Sequence, residues 1–192
     1  MQPFNKIYHG LDIKQALSEI KLNDHLFGEF NARELSPIHA QMNDIWLRYG
    51  DISKLVESGD YSSIAEKHDS IWLKDLPACK KLCFDVMALV DGERLGGVLI
   101  TRLPVGSEIL KHQDSGWHAE YYDKFYVPIQ NEQGSYFGFD SGNIEPILGD
   151  LWQFDNSYTH WVKNNSKSVR IALIICIKQN KYSRSGYLLN KG

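Results

Sequence analysis

The sequence predicts a mainly β protein of jelly-roll type, with helices gathered toward its N-terminus. Three observations carry that prediction. The hydrophobic pattern changes near residue 95 from helical to strand periodicity. Eight short strand candidates follow the change. Turn-forming residues separate them at short intervals. Eight antiparallel strands with small turns suit a double-sheet jelly roll, and another antiparallel sandwich would share the same count.

Before the change, DIKQALSEIKL (12–22) reads as a helix with Asp12 as a cap and Ile13, Ala16, Leu17 and Ile20 on one face. DIWLRYG (44–50) reads as a half-buried strand, with Ile45, Leu47 and Tyr49 on one face and Trp46 and Arg48 on the other. Short helical pieces are expected from Asp51 to His68, broken at Ser58-Gly59-Asp60. DLPACKKLCFDVMALV (75–90) is the strongest helix. Asp75 is placed to cap it, and Pro77 sits where its missing N–H costs little. Leu76, Cys79, Leu82, Cys83, Val86, Met87 and Val90 form its apolar face.

The strand candidates are 97–103, 108–114, 124–130, 135–140, 143–148, 150–155, 159–164 and 169–177. Their turns include Pro104-Val105-Gly106, Ser141-Gly142-Asn143 and Asn164-Asn165-Ser166. With 192 residues, one domain is expected: a mostly helical part (1–95) that shapes a pocket, a jelly-roll core (96–178) and a tail (179–192).

Composition narrows the function. The net charge is -3, which argues against a broad nucleic-acid surface. No apolar run reaches the length of a membrane span, and the N-terminus lacks the apolar stretch of a secretory signal. Cys79, Cys83 and Cys176 contain no CxxC pair, so they read as buried thiols in a cytoplasmic protein.

The chemistry-bearing residues lie in the strand region. His112 and Asp114 form H-x-D, and a strand period of two projects both side chains from one face. His160 follows 48 residues later, on the penultimate strand. Two imidazoles and one carboxylate suit non-haem Fe(II) and leave coordination positions open. Arg170 comes ten residues after His160, across the hairpin at Asn164–Lys167. Its guanidinium fork suits a carboxylate.

From about residue 96 to 178 the chain resembles the aspartyl/asparaginyl β-hydroxylase-like branch of the 2-oxoglutarate oxygenases, including free-proline-hydroxylase-like and phage-type members. The stretches that carry the resemblance are LPVGSEILKHQDSG, KFYVPI and GDLWQFDNSYTHWVKNNSKSVRIALI. It implies a double-stranded β-helix, a cupin-like jelly roll. It also implies His112, Asp114 and His160 as iron ligands, Arg170 as the anchor of 2-oxoglutarate, and O2 as co-substrate. The product would be a hydroxylated amino acid, free or within a peptide, with release of succinate and CO2. Asp114 favours hydroxylation or desaturation, since related halogenases put a small residue there. Where the family has R-x-H-x-P this chain has Lys124-Phe125-Tyr126-Val127-Pro128, so Lys124 and Tyr126 inherit the contact to co-substrate or substrate. Thr101 matches a hydroxyl position that assists co-substrate binding in relatives.

Residues beyond this set are candidates for a substrate. Trp117, His118, Tyr121 and Tyr122 lie on the loop after the H-x-D turn, where aromatic groups could cover an active site. Arg48 resembles an LR pair that precedes the barrel in relatives, with His39 nearby. Trp152 and Phe154 are expected in the core between the sheets. Asn156 and Ser157 are placed to orient His160. Two other readings share the triad: a zinc or manganese cupin-like isomerase or hydrolase, and a jelly-roll binding module without turnover.

Overall fold

The computed structural model describes residues 2–50 and 70–180. The helical pieces expected at 51–68 lie outside the described residues. In chain order the elements are β1 (Phe4–His9), α1 (Lys14–Leu22), β2 (Asn43–Tyr49), β3 (Ile71–Trp72), α2 (Pro77–Leu89), β4 (Gly92–Leu103) and β5 (Glu108–His112). They continue with α3 (Trp117–Tyr121), β6 (Asp123–Gln130), β7 (Ser135–Phe139), β8 (Gly142–Ile144), β9 (Asp150–Phe154), β10 (His160–Asn164) and β11 (Arg170–Gln179). Each of the eight strand candidates after residue 95 overlaps one of these strands.

The strands form two antiparallel sheets. The larger has seven strands in the order β1-β9-β6-β11-β4-β2-β3, and the smaller has four in the order β5-β10-β7-β8. The strand order and the face-to-face packing match the expected jelly roll. Among the described residues before 95, β2 is the strand expected at 44–50, and β1 and β3 are further strands that extend the larger sheet.

Two apolar clusters follow from the period-two alternation of strand side chains. On one face of the larger sheet, Ile171, Leu173, Ile175 and Ile177 of β11 pack with Phe125 and Val127 of β6 and with Val98 and Ile100 of β4. Helices α1 and α2 cover this face through Ala16, Ile20, Cys79, Leu82, Cys83 and Val86. The alternate residues face the smaller sheet, where Ala172 and Tyr126 pack with Phe137, Phe139, Phe154 and Val162. Both faces of β11 are therefore buried, which is why its sequence reads as one continuous apolar run. Truncating a buried Leu or Ile there to Ala costs about 2–5 kcal/mol.

The start of α2 departs from its sequence. Asp75 does not cap it: the residue before the helix, Leu76, makes no side-chain cap bond. Asp75 instead accepts from Lys80 at 2.8 Å. The cap comes from α1, where the Glu19 carboxylate accepts the N–H groups of Ala78 (3.1 Å) and Cys79 (2.8 Å). An anion there satisfies two free donors and complements the helix dipole. Asp12 accepts the Lys14 N–H at 3.1 Å at the start of α1. Glu19→Ala should therefore lower stability by about 1 kcal/mol in urea titration, and Asp75→Ala should change it little.

Candidate metal centre

His112 closes β5 and His160 opens β10, and the two residues are direct partners across the strand pair. Their ring centroids lie 4.2 Å apart. Asp114 sits just beyond the end of β5. His112, Asp114 and His160 each offer a ligand atom, and these atoms lie within 4.8 Å of one another. The spacing that suggested a common face in the sequence thus brings three donors to one point.

Local bonds hold each donor in a binding form. His112 Nδ1 is 2.8 Å from the Leu110 carbonyl, and His160 Nδ1 is 2.8 Å from the Tyr158 carbonyl. A carbonyl only accepts, so Nδ1 carries the proton in both rings and Nε2 keeps a lone pair. Burial lowers the His160 pKa, opposed by the Asp114 charge, which favours the neutral imidazole. Burial would raise the Asp114 pKa, but the Lys124 ammonium, His160 and an Asn156 hydrogen bond outweigh it and hold the carboxyl down at about 2. Metal binding needs both of these protonation states.

Asn156 is the principal support of Asp114. Its side-chain amide donates to Asp114 Oδ2 at 3.2 Å, and its carbonyl accepts the Asp114 N–H at 2.9 Å. This corrects the sequence expectation, which gave Asn156 and Ser157 to His160. Ser157 donates to Asp155 Oδ1 at 2.6 Å instead.

The triad opens onto a cavity of about 490 Å³ between the sheets. Its floor is the inner face of the larger sheet, in rows set by the strand register. One row carries Leu103 and Arg170, and the next carries Asp44, Thr101 and Ala172. A third carries Trp46, Leu99, Ile174 and Tyr126, and a fourth carries Cys176, Lys124 and Phe154. Lys124 Nζ is 3.8 Å from Asp114 Oδ2, so the triad stands over the fourth row. Arg170 starts at the far end and leans back, with its guanidinium 5.1 Å from the centre of the Tyr126 ring. Tyr126 and Lys124 are two residues apart on β6, about 7 Å along a strand. That is the order of length of a five-carbon diacid.

Arg170 is 2% exposed, and no carboxylate lies within ion-pair distance of it among the described residues. Its Nε and the Tyr126 hydroxyl are buried without hydrogen-bond partners. Burial raises the Tyr126 pKa, opposed by the Arg170 charge. Thr101 lines the cavity beside them. A buried guanidinium with unused donors fits an anion, and the two imidazoles with a carboxylate fit a ferrous ion.

The candidates for a substrate separate. His118 lines the cavity, whereas Trp117 and Tyr121 are not among its lining residues. They pack edge to face on one another in α3 with ring centroids 5.5 Å apart. Arg48 turns away, and a β-bulge is the reason. Between Trp46 and Arg48 the register of β2 against β4 shifts by one residue. The extra residue moves Arg48 to the helix-covered face, where it donates to the carbonyls of Leu95 (2.8 Å) and Gly96 (2.7 Å). The same shift turns Tyr49 into the cavity beside Trp46, their ring centroids 4.7 Å apart. Tyr49 was expected on the face of Ile45 and Leu47. Gly97 makes room for it: a Cβ at that position would lie 2.7 Å from the Tyr49 ring.

Arg33 and His39 also line the cavity. They come from the segment before β2, which no periodicity marks. That segment is tied to β5 by the Leu110 N–H, which donates to the Ile38 carbonyl at 3.0 Å, and it sets the His39 ring 5.0 Å from that of His112. Burial, reinforced by the Arg33 and His112 charges, lowers the His39 pKa to about 3.

Comparison with known proteins agrees with this geometry. Residues 39–180 match the family model described as aspartyl/asparaginyl beta-hydroxylase. The chain belongs to the aspartyl/asparaginyl β-hydroxylase family. It is therefore a 2-oxoglutarate-dependent hydroxylase with iron(II), 2-oxoglutarate and O2 as its cofactors and co-substrates. A prolyl-4-hydroxylase from Pseudomonas putida is similar in fold, with a TM-score of 0.59 at 15% identity over 94% of each chain. A prolyl hydroxylase from Trichoplax adhaerens gives 0.62 at 15% identity, over 93% of this chain and 84% of that one. A 2OG-Fe(II) oxygenase-family oxidoreductase from Burkholderia pseudomallei gives 0.58 at 12% identity, over 93% and 85%. No curated protein matches the sequence. No helix among the described residues is long and apolar enough to cross a membrane.

Because Asn156 holds Asp114 by two bonds, Asn156→Ala should weaken metal binding at least tenfold, as losses around metal ligands do. Titration of the protein with Fe(II) or Co(II) under anaerobic conditions measures it.

Proposed function

We propose that His112, Asp114 and His160 hold iron(II), and that Arg170 binds the distal carboxylate of 2-oxoglutarate with Tyr126 and Thr101 beside it. The substrate is an amino acid, free or within a peptide, hydroxylated at an unactivated C–H bond. One observation carries the assignment of Arg170: its buried guanidinium lacks a carboxylate partner among the described residues and lines the same cavity as the triad. The printed descriptions of two structural neighbours support the substrate class. One is a prolyl-4-hydroxylase, and the other is a prolyl hydroxylase in complex with a peptide fragment.

Iron(II), when bound, supplies the activation of O2 that couples decarboxylation of 2-oxoglutarate to substrate oxidation. The protein's own part is positional. The carbonyls of Leu110 and Tyr158 fix the imidazole tautomers, and Asn156 fixes the carboxylate. Arg170 sets the direction in which the co-substrate lies, and its fork geometry reads a carboxylate better than a point charge would. Trp46, Tyr49, Phe137 and Phe154 wall the cavity and exclude water from the reacting end.

Succinate release is the direct test. His160→Ala should abolish it. Arg170→Ala should raise the 2-oxoglutarate KM by about a hundredfold, the worth of two charge-assisted hydrogen bonds. Wild-type behaviour in both variants would contradict the assignment. Bound metal with no response to 2-oxoglutarate would favour the differently metallated or non-catalytic readings.

A further inference from the structure

We infer that the substrate presents a carboxylate to a second cationic pole of the cavity, made by Arg33 and Lys124. The inference rests on the proposed function, because it assigns Arg170 to the co-substrate and asks what the other two cations do. Arg33 lies outside the region matched by the family model, and Lys124 stands where the family pattern has Arg.

Arg33 is aimed by Asp44. Its Nη1 donates to Asp44 Oδ2 at 2.8 Å, and Asp44 is itself 1% exposed. The other N–H groups of the guanidinium make no hydrogen bond among the described residues. One arm of the fork is therefore anchored while the rest faces the cavity. The Arg33 charge acts on His39, Tyr49 and Lys124, which places it at the metal end. Lys124 has a largely buried side chain, 15% exposed, and makes no hydrogen bond among the described residues. Its nearest anion is Asp114 Oδ2 at 3.8 Å, beyond hydrogen-bond length. Both side chains retain unused donors at the cavity wall.

Charge balance gives the sign of the ligand. Arg33, Lys124 and Arg170 line the cavity, and Asp114 is its only lining carboxylate among the described residues. Asp44 neutralises one cation from beneath. Iron(II) and the 2-oxoglutarate dianion cancel one another. One positive charge is left over at the metal end, and a single carboxylate satisfies it. An ammonium would find no free carboxylate there. The rest of the wall, Trp46, Tyr49 and Leu99, suits an apolar body. The absence of a Cβ at Gly97 keeps the Tyr49 ring against the sheet and the space open. The ligand chemistry is thus a carboxylate next to an apolar side chain, as in an N-acylated amino acid or a peptide C-terminus.

The test is calorimetric titration of the anaerobic Fe(II)–2-oxoglutarate protein with N-acetyl-L-leucine and the tripeptide Ala-Ala-Leu, each against its C-terminal amide. At least one acid should bind tenfold or more tightly than its amide, and the pair that does so names the source of the carboxylate. Arg33→Lys, which keeps the pair with Asp44, should reduce that preference severalfold. Lys124→Met should reduce it further. The visible charge-transfer band formed by iron and 2-oxoglutarate should persist in Arg33→Lys. Absence of that band in the wild-type protein would sink the proposed function itself. With the band present, acids binding no better than amides, or neither binding, overturns the carboxylate subsite. So does a loss that falls on 2-oxoglutarate affinity in Arg33→Lys rather than on the acids.

Discussion

Burying a guanidinium with no counter-charge costs several kcal/mol, because the ion gives up its hydration and receives little in return. Among the described residues Arg170 is in that condition, held there by the strand that carries it. Its position at the start of β11 is fixed by pairing with Leu103 of β4, and its face is fixed by alternation with Ile171, which faces the helices. On the proposed function, the distal carboxylate of 2-oxoglutarate completes it. The remaining features of the cavity fall into place around that need: the donors of the triad at one end, the Tyr126 ring under the guanidinium, and Thr101 between the two rows.

Each inner-facing group depends on a covered outer face. Strands β4, β6 and β11 place alternate residues against α1 and α2, so a register slip of one residue would move Lys124 and Arg170 into the helix-packed layer and Phe125 and Ile171 into the cavity. The cost of burying charge among apolar side chains protects the register. Apolar packing on one side of the sheet and polar chemistry on the other are therefore one constraint. The cap that Glu19 provides to α2 belongs to the same arrangement, since it ties together the two helices that cover the sheet.

Much of this was legible in the sequence, because the signals are local. The strands after residue 95 announce themselves by alternation and by glycine, proline and asparagine turns. H-x-D and His160 sit where β5 and β10 pair, and Arg170 opens the strand after His160. What escaped depends on events that periodicity does not record. A bulge in β2 exchanges the faces of Arg48 and Tyr49, and nothing in DIWLRYG distinguishes a bulged strand from a regular one. Arg33 and His39 reach the cavity from an irregular segment held by backbone bonds to β5. Strand β1 is mostly polar, and it is fixed by distant partners: Asp150 accepts from Lys6 at 3.0 Å and from His9 at 2.8 Å. Asn156 serves Asp114 instead of the histidine that follows it, which only the tertiary fold decides.

The central claim is that Arg170 is completed by 2-oxoglutarate. Thermal unfolding of the metal-loaded protein, with and without 2-oxoglutarate, tests it in the wild type and in Arg170→Met. Ligand at a hundred times its Kd stabilises a folded protein by about 2.7 kcal/mol, which at this size corresponds to a Tm rise on the order of 5 °C. The account predicts that rise in the wild type, its loss in Arg170→Met, and a ligand-free variant at least as stable as the wild type, since an unpaired buried charge has been removed. A variant that is strongly destabilised without ligand yet still responds to 2-oxoglutarate would contradict it.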